Sequence, residues 1–199
     1  MALADVLVTG ATVLYSNLGT ALPNINTVAF GAYSSWSSWT SLGVTTAPTR
    51  MRHDKEYYQL DAQQYAHPVL MRQVGKRTTV RFEIAEIPGS ILALLLDGSL
   101  ATVSPGAGVK GLSTVDYGSD LVTVEKQWAF EGFRPDANGT FQPVRWFFYK
   151  AVLMLDGDFD FNKRDSVKAR ATLLCMADTS KPQGQDVGKI QIVTAPATS

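Results

Sequence analysis

The chain has 199 residues, 45% hydrophobic and 18% charged, enough to bury a sizeable core and read as one globular domain with extensions. Eighteen basic side chains balance eighteen acidic ones, whereas a protein that grips duplex nucleic acid carries a basic excess. The single cysteine, Cys175, excludes an intrachain disulfide framework and a cysteine-rich zinc site.

The first residues, "MALADVLVTG", lack a basic n-region and carry Asp5 inside the apolar run, which speaks against a secretory signal. No stretch reaches the ~20 apolar residues of a membrane-spanning helix, "ILALLL" being far shorter. The expectation is a protein made and folded in a cytoplasm, with no membrane binding of its own.

In chain order, Val6 to Tyr15 reads as a strand. Between Met1 and Thr49 the only charged side chain is Asp5, and the stretch 16–50 is a long arm or loop rich in Ser, Thr, Gly, Ala and Asn. Structureless stretches of that length are uncommon inside compact domains and are usually functional or disordered. Disorder fits poorly here, because Tyr33, Trp36, Trp39 and Leu42 recur every three residues and disordered segments are poor in aromatics. Two readings follow: a flap over the chain's own core, or an arm burying its anchors on a neighbouring subunit. Periodicity does not say whose core receives them.

Alternation begins at Arg50. "HPVLMRQVGKRTTVRFEIAEI" reads as a hairpin turning at Gly75-Lys76. In its second arm Thr78, Val80, Phe82 and Ile84 share one face, and Thr79, Arg81 and Glu83 the other. "IPGSILALLLDGS" reads as the one helix, about 88–97, with Pro88 in its first turn and Gly98 after its end. Ile91, Leu92, Leu95 and Leu96 form an apolar face that must pack on a sheet. A Gly- and Pro-containing loop, "SPGAGVKG", follows.

Leu121 to Glu131 reads as a strand, "RPDANGT" as a turn, and Phe141 to Leu155 as a long strand. Asn138-Gly139-Thr140 matches a glycosylation sequon, but turn chemistry accounts for it better. "DGDFDFNKRD", from Asp156 to Asp165, sounds like a calcium loop. Such a loop needs Gly at its sixth position and Glu at its twelfth, where this chain has Phe161 and Val167. Strand periodicity explains the spacing better: Leu153, Leu155, Gly157, Phe159 and Phe161 share one face, and Asp156, Asp158, Asp160 and Asn162 the other. "NKRD" is then a turn into a last strand, Ser166 to Met176, whose Lys168 and Arg170 could face the carboxylates. Residues 179–199 read as an exposed C-terminal arm after a domain spanning 1–178.

Nothing in this inventory assembles a catalytic, metal or cofactor site. His53 and His67 are the only histidines, and neither has a partner suggesting chemistry. There is no G-x-S-x-G elbow, no H-E-x-x-H pair and no phosphate loop. Glu83 and Glu86 fit a solvated strand end better than acid/base work, so neither an enzyme nor a cofactor is expected.

The order of elements now resembles a known family. A first strand runs into "LYSNLGTALP", then a Trp-Leu-Gly stretch ("SSWTSLGVT"), a hairpin ending "VRFEIAEI", a helix, and "WFFYKAVLMLDGDFDFNKRDSVKARATLLCMAD". This layout, from about Val6 to Asp178, resembles the major tail (tail tube) proteins of long-tailed, non-contractile bacterial viruses. The resemblance implies a mainly β, sandwich- or barrel-like fold with one flanking helix and extended arms. It implies stacked, usually hexameric rings forming the conduit for genome delivery, in a virion tail assembled in the host cytoplasm. Its partners would be further copies of itself and tail-tip, tape-measure and tail terminator proteins, with DNA only in transit. On this reading Arg72, Thr79, Arg81 and Glu83 are the candidate lumen-facing residues, and Tyr33, Trp36, Trp39 and Leu42 the candidate inter-subunit arm. Two alternatives are a tube protein of a contractile secretion system and a β-sandwich carbohydrate binder using Trp36 and Trp39 as sugar platforms.

Overall fold

Strand β1 (Val8–Ser16) opens a sheet that organises most of the chain. The computed structural model describes residues 8–46, 48–60, 67–119, 123–135, 140–157, 159 and 167–193. The remaining strands are β2 (Thr40–Ser41), β3 (Arg50–Leu60), β4 (Leu70–Ile84), β5 (Ser99–Val103), β6 (Leu112–Asp116), β7 (Glu125–Pro135), β8 (Phe141–Leu155), β9 (Ala169–Cys175) and β10 (Gly188–Ile192). An eight-stranded antiparallel sheet runs β2-β1-β7-β8-β9-β4-β3, with β10 also on β8, while β5 and β6 form a separate hairpin. The mainly β expectation holds.

The sheet curls on itself. β4 and β7 are separated by two strands in the pairing order, yet Phe82 of β4 meets Phe130 of β7 edge-on at 5.9 Å between centroids. Phe130 in turn meets Phe148 of β8 at 5.8 Å. Val80, Phe82 and Ile84 point into this interior with Val13, Trp128, Leu153 and Leu173, as the alternation in β4 requires.

A second core lies on the opposite face of β1, β7 and β8, where Leu14, Ala129 and Phe147 meet Trp36 and Trp39. These three strands are therefore buried on both sides, which explains why "QWAFEGF" and "RWFFYKAV" read as near-continuous apolar runs.

Helix α1 (Gly89–Leu95) buries Ile91, Ala93, Leu94 and Leu95 and packs against β5, β6 and β8. Leu92 and Leu96, expected on the buried face, are only half-buried. Gly98 matters for a different reason from the one expected. Asp97 takes the left-handed conformation, φ 49°, and a Cβ on Gly98 would lie 2.7 Å from the Asp116 carbonyl oxygen.

The structure corrects several expectations. Gly75-Lys76 is not a turn, because β4 runs unbroken through it and pairs along its length with β3. Gly75 instead marks a bulge: Glu56 pairs with Gly75 and Tyr57 with Gln73, leaving Val74 as the extra residue. The loop "SPGAGVKG" is flanked by an unanticipated hairpin, β5–β6. The strand placed at Leu121–Glu131 is β7, Glu125–Pro135. The C-terminal arm is not free throughout, since β10 pairs with β8 from Gly188↔Phe148 to Ile192↔Val144. β8 ends at Leu155, and the "DANG" turn, Asp158, Asp160–Ser166 and the tail beyond Val193 lie outside the described residues. Asp156 accepts a hydrogen bond from Thr172 Oγ1 at 2.8 Å, while Arg170 lies 3.8 Å from Glu83 rather than against that carboxylate.

Candidate assembly surface

The first question is where residues 17–39 go. They form a strap across the outer face of β1, β7 and β8, with a 3-10 turn at Tyr33–Ser35. Trp36 and Trp39 are only 2% and 9% exposed. They meet each other edge-on at 5.7 Å and lie 6.1 and 6.0 Å from Phe147. Leu42 is buried in the interior core. Within one copy, then, Trp36, Trp39 and Leu42 pack in the chain's own cores, the arrangement of the flap reading. Tyr33 packs half-buried at the edge of the same cluster. The sugar-platform reading falls, because a stacking ring must present an open face.

An ion pair ties the strap down. Glu131 and Arg145 are direct partners in the β7–β8 register, and both side chains are 0% exposed with Arg145 Nε donating to Glu131 Oε1 at 2.7 Å. Arg145 Nη2 also donates to the Val28 carbonyl at 2.6 Å. The Gly31 amide donates to the second carboxylate oxygen at 3.0 Å, and the guanidinium sits 4.9 Å from the Trp36 ring centre. A buried pair repays its desolvation only through such added hydrogen bonds. Sequence reasoning missed both residues, although each is a charge set directly among apolar and aromatic neighbours, in "WAFEGF" and "VRWFF".

Arg72, Thr79, Arg81 and Glu83 share one face. Without a bulge, Arg72 would fall opposite the other three, since strand side chains alternate. The register pairs Arg72 with Tyr58, Thr79 with Arg52 and Arg81 with Arg50, and those partners alternate on one side of β3. Thr79, Arg81 and Glu83 lie where β4 is also paired with β9, and charges there are mixed. Arg81 is 3.7 Å from Asp156, and Glu83 accepts from Thr46 Oγ1 at 2.7 Å.

Arg72 belongs to a different region. β9 covers β4 only from Thr78 onward, so Leu70–Arg77 pairs with β3 alone and projects as a two-stranded ribbon about 25 Å long. Every described β3 side chain is exposed. Leu70 and Met71 are 51% and 57% exposed, and Tyr57, Tyr58, Leu60 and Val74 are similarly open. Cationic side chains outnumber acidic ones seven to three in β3 and β4. Arg72 and Arg77 have no ion-pair partner among the described residues. At the ribbon's root, an apolar cavity of about 260 Å³ opens between Thr49, Met51 and Val80 on one side and Phe130, Val144 and Trp146 on the other.

The remaining titratable groups do not converge on a reactive centre. Burial pushes the Cys175 thiol up to about 12. Burial also raises Tyr33 and Tyr15 above the usual phenol range. Hydrogen bonds from Ser180 hold the exposed Asp178 below the usual carboxylate range. Among the described residues no group of His, Cys, Asp and Glu is arranged to hold a metal ion. His53 Nδ1 lies 2.8 Å from Thr78 Oγ1, an ordinary cross-strand contact.

This geometry defines a class: a mainly β protein carrying an exposed apolar and cationic ribbon. No protein-family model matches the chain, and no curated protein matches it. The chain is similar to a solved structure described as "Crystal structure of Hcp protein", at 9% identity, over 92% of this chain and 98% of that one, with a TM-score of 0.35. So loose an overlap carries no argument about function.

Proposed function

We propose that this chain is the structural subunit of a self-assembling tube, of the kind that forms the tails of long-tailed bacterial viruses. The observation that carries the reading is the ribbon Arg50–Leu60/Leu70–Arg77. Isolated two-stranded hairpins are at best marginally stable in water, and contiguous exposed apolar patches mark interaction surfaces. A ribbon that stays extended with Tyr57, Leu60, Leu70 and Met71 open to solvent is explained by burial on another molecule. The ordered resemblance of the sequence to tail tube proteins makes that molecule a further copy of the chain.

The proposed assembly is a stack of rings in the virion tail, completed by tail-tip, tape-measure and terminator proteins. The mixed-charge stretch at Thr79, Arg81 and Glu83 is the proposed lumen lining. Each phosphate neutralised by a fixed cation adds counterion-release affinity, so a mixed lining lets DNA pass where an arginine-only wall would hold it. Arg72, out on the ribbon, is assigned to contact with a neighbour rather than to the lumen.

Sedimentation velocity and negative-stain microscopy of the purified chain test the reading. Rings or filaments are expected at high concentration without cofactor. A chain that stays monomeric both alone and with a tail-tip complex added would overturn it.

A further inference from the structure

A polar cleft of about 490 Å³ opens between the start of the strap, Leu18–Leu22, and the loop that follows β9, with Gln127 of β7 and Tyr149 of β8 between them. That volume falls within the roughly 300–1,000 Å³ of small-ligand sites. Both walls are hydrogen-bonded turns. The Thr20 amide donates to the Asn17 carbonyl at 3.3 Å, and the Lys181 amide to the Asp178 carbonyl at 3.0 Å. Lys126 Nζ holds the first turn to β7 through Asn17 Oδ1 at 2.7 Å. Gln127 is only 3% exposed, and among the described residues its carboxamide has no hydrogen-bond partner. It is not sealed among the buried side-chain atoms that lack a partner, so its donor and acceptor are turned to the cleft. A polar group at that depth is normally hydrogen-bonded. We infer that the cleft is a binding site for a neutral, hydroxyl-rich ligand of monosaccharide size.

The charges on the walls select that class. Lys150 Nζ is already paired with Glu125 at 2.7 Å, and Lys181 Nζ lies 5.3 Å over the centre of the Tyr149 ring. Asp178 accepts from the Ser180 amide at 3.0 Å. Both signs stand on the walls, so a ligand carrying one charge meets repulsion as well as attraction. The group left over is a carboxamide, which donates through one atom and accepts through the next. Neighbouring hydroxyls on a sugar ring do the same, and each can satisfy both halves of the amide. Asp178 adds an acceptor and Lys181 a donor at the rim. The site is separate from Trp36 and Trp39, whose rings are covered. It belongs to a single copy, so it stands whether or not the chain assembles.

Saturation-transfer NMR on the full chain tests the site with D-glucose, D-galactose and N-acetyl-D-glucosamine as probes, and with glycine and acetate as zwitterionic and anionic controls. At least one sugar is expected to receive magnetisation from the protein, and the controls none. Gln127→Leu keeps the side chain's bulk and removes its donor and acceptor. Losing that pair of hydrogen bonds should weaken sugar binding about tenfold. Circular dichroism checks the fold, and Asp178→Ala, at the rim, carries the same direction of change if Gln127→Leu misfolds. Absence of transfer to every sugar overturns the proposal. Transfer to glycine or acetate alone overturns the neutral class. Sugar binding that is unchanged in the folded variant places the ligand elsewhere and overturns the cleft.

Discussion

Replacing Glu131 by Gln keeps the shape of the strap's anchor and removes its charge. In the native chain the carboxylate accepts from Arg145 Nε at 2.7 Å and from the Gly31 amide at 3.0 Å, with both charged side chains fully buried. The variant leaves a guanidinium in the interior with only neutral acceptors. Breaking a buried pair on one side costs about 3–5 kcal/mol. Gln can still accept one hydrogen bond, which places this change at the lower end, about 3 kcal/mol. For a chain of this size each kcal/mol lowers the melting temperature by roughly 2–4 °C, so a drop of about 6–12 °C is expected. Urea unfolding followed by circular dichroism measures the loss. Hydrogen exchange at the Gly31 amide locates it, because the strap should open at lower free energy than the strands beneath. The companion variant Arg145→Met removes the charge but leaves the Val28 carbonyl without its donor, and the double variant should be little worse than either single. Coupling of about 2 kcal/mol or more is expected between the two positions. A loss below about 1 kcal/mol for Glu131→Gln, or strict additivity in the double variant, would refute the assignment of a buried, mutually dependent pair.

Trp36→Ala and Trp39→Ala should each destabilise the monomer by about 3–5 kcal/mol, because both rings fill a core of the same chain. Denaturant midpoints measured at concentrations too low for assembly check this, and an unchanged monomer would return the strap to a neighbouring subunit. Cys175, with its thiol raised from 9.0 to about 12 by burial, should react slowly with iodoacetamide at pH 8 and rapidly in urea. Its folded value lies above its unfolded one, so its contribution to stability is complete below pH 9 and is lost as pH climbs towards 12. Fast native labelling would contradict that burial.

Much of this protein was set by local sequence. The span of β8, Phe141–Leu155, and the inward set Val80, Phe82 and Ile84 in β4 follow from apolar runs and a two-residue period, which need only the pleat of one strand. The helix was legible because Ile91 and its neighbours recur at helical spacing between Pro88 and Gly98. Tertiary structure decided the rest, because each remaining question concerned a partner. Gly75 is compatible with a turn or a bulge, and the pairing of Glu56 and Tyr57 across from it made it a bulge. That same bulge put Arg72 on the face of Thr79 and Arg81. The strap's place within one copy was set by Phe147, whose outward face Trp36 and Trp39 cover, and the two-sided apolar runs of β7 and β8 were the available sign. Glu131 and Arg145 each looked like a stray charge until the register made them neighbours. A chain's periodicity fixes which side chains share a face, since that depends on backbone geometry alone. What covers the face is chosen by non-directional hydrophobic burial and long-range register, and neither is written in any single stretch of sequence.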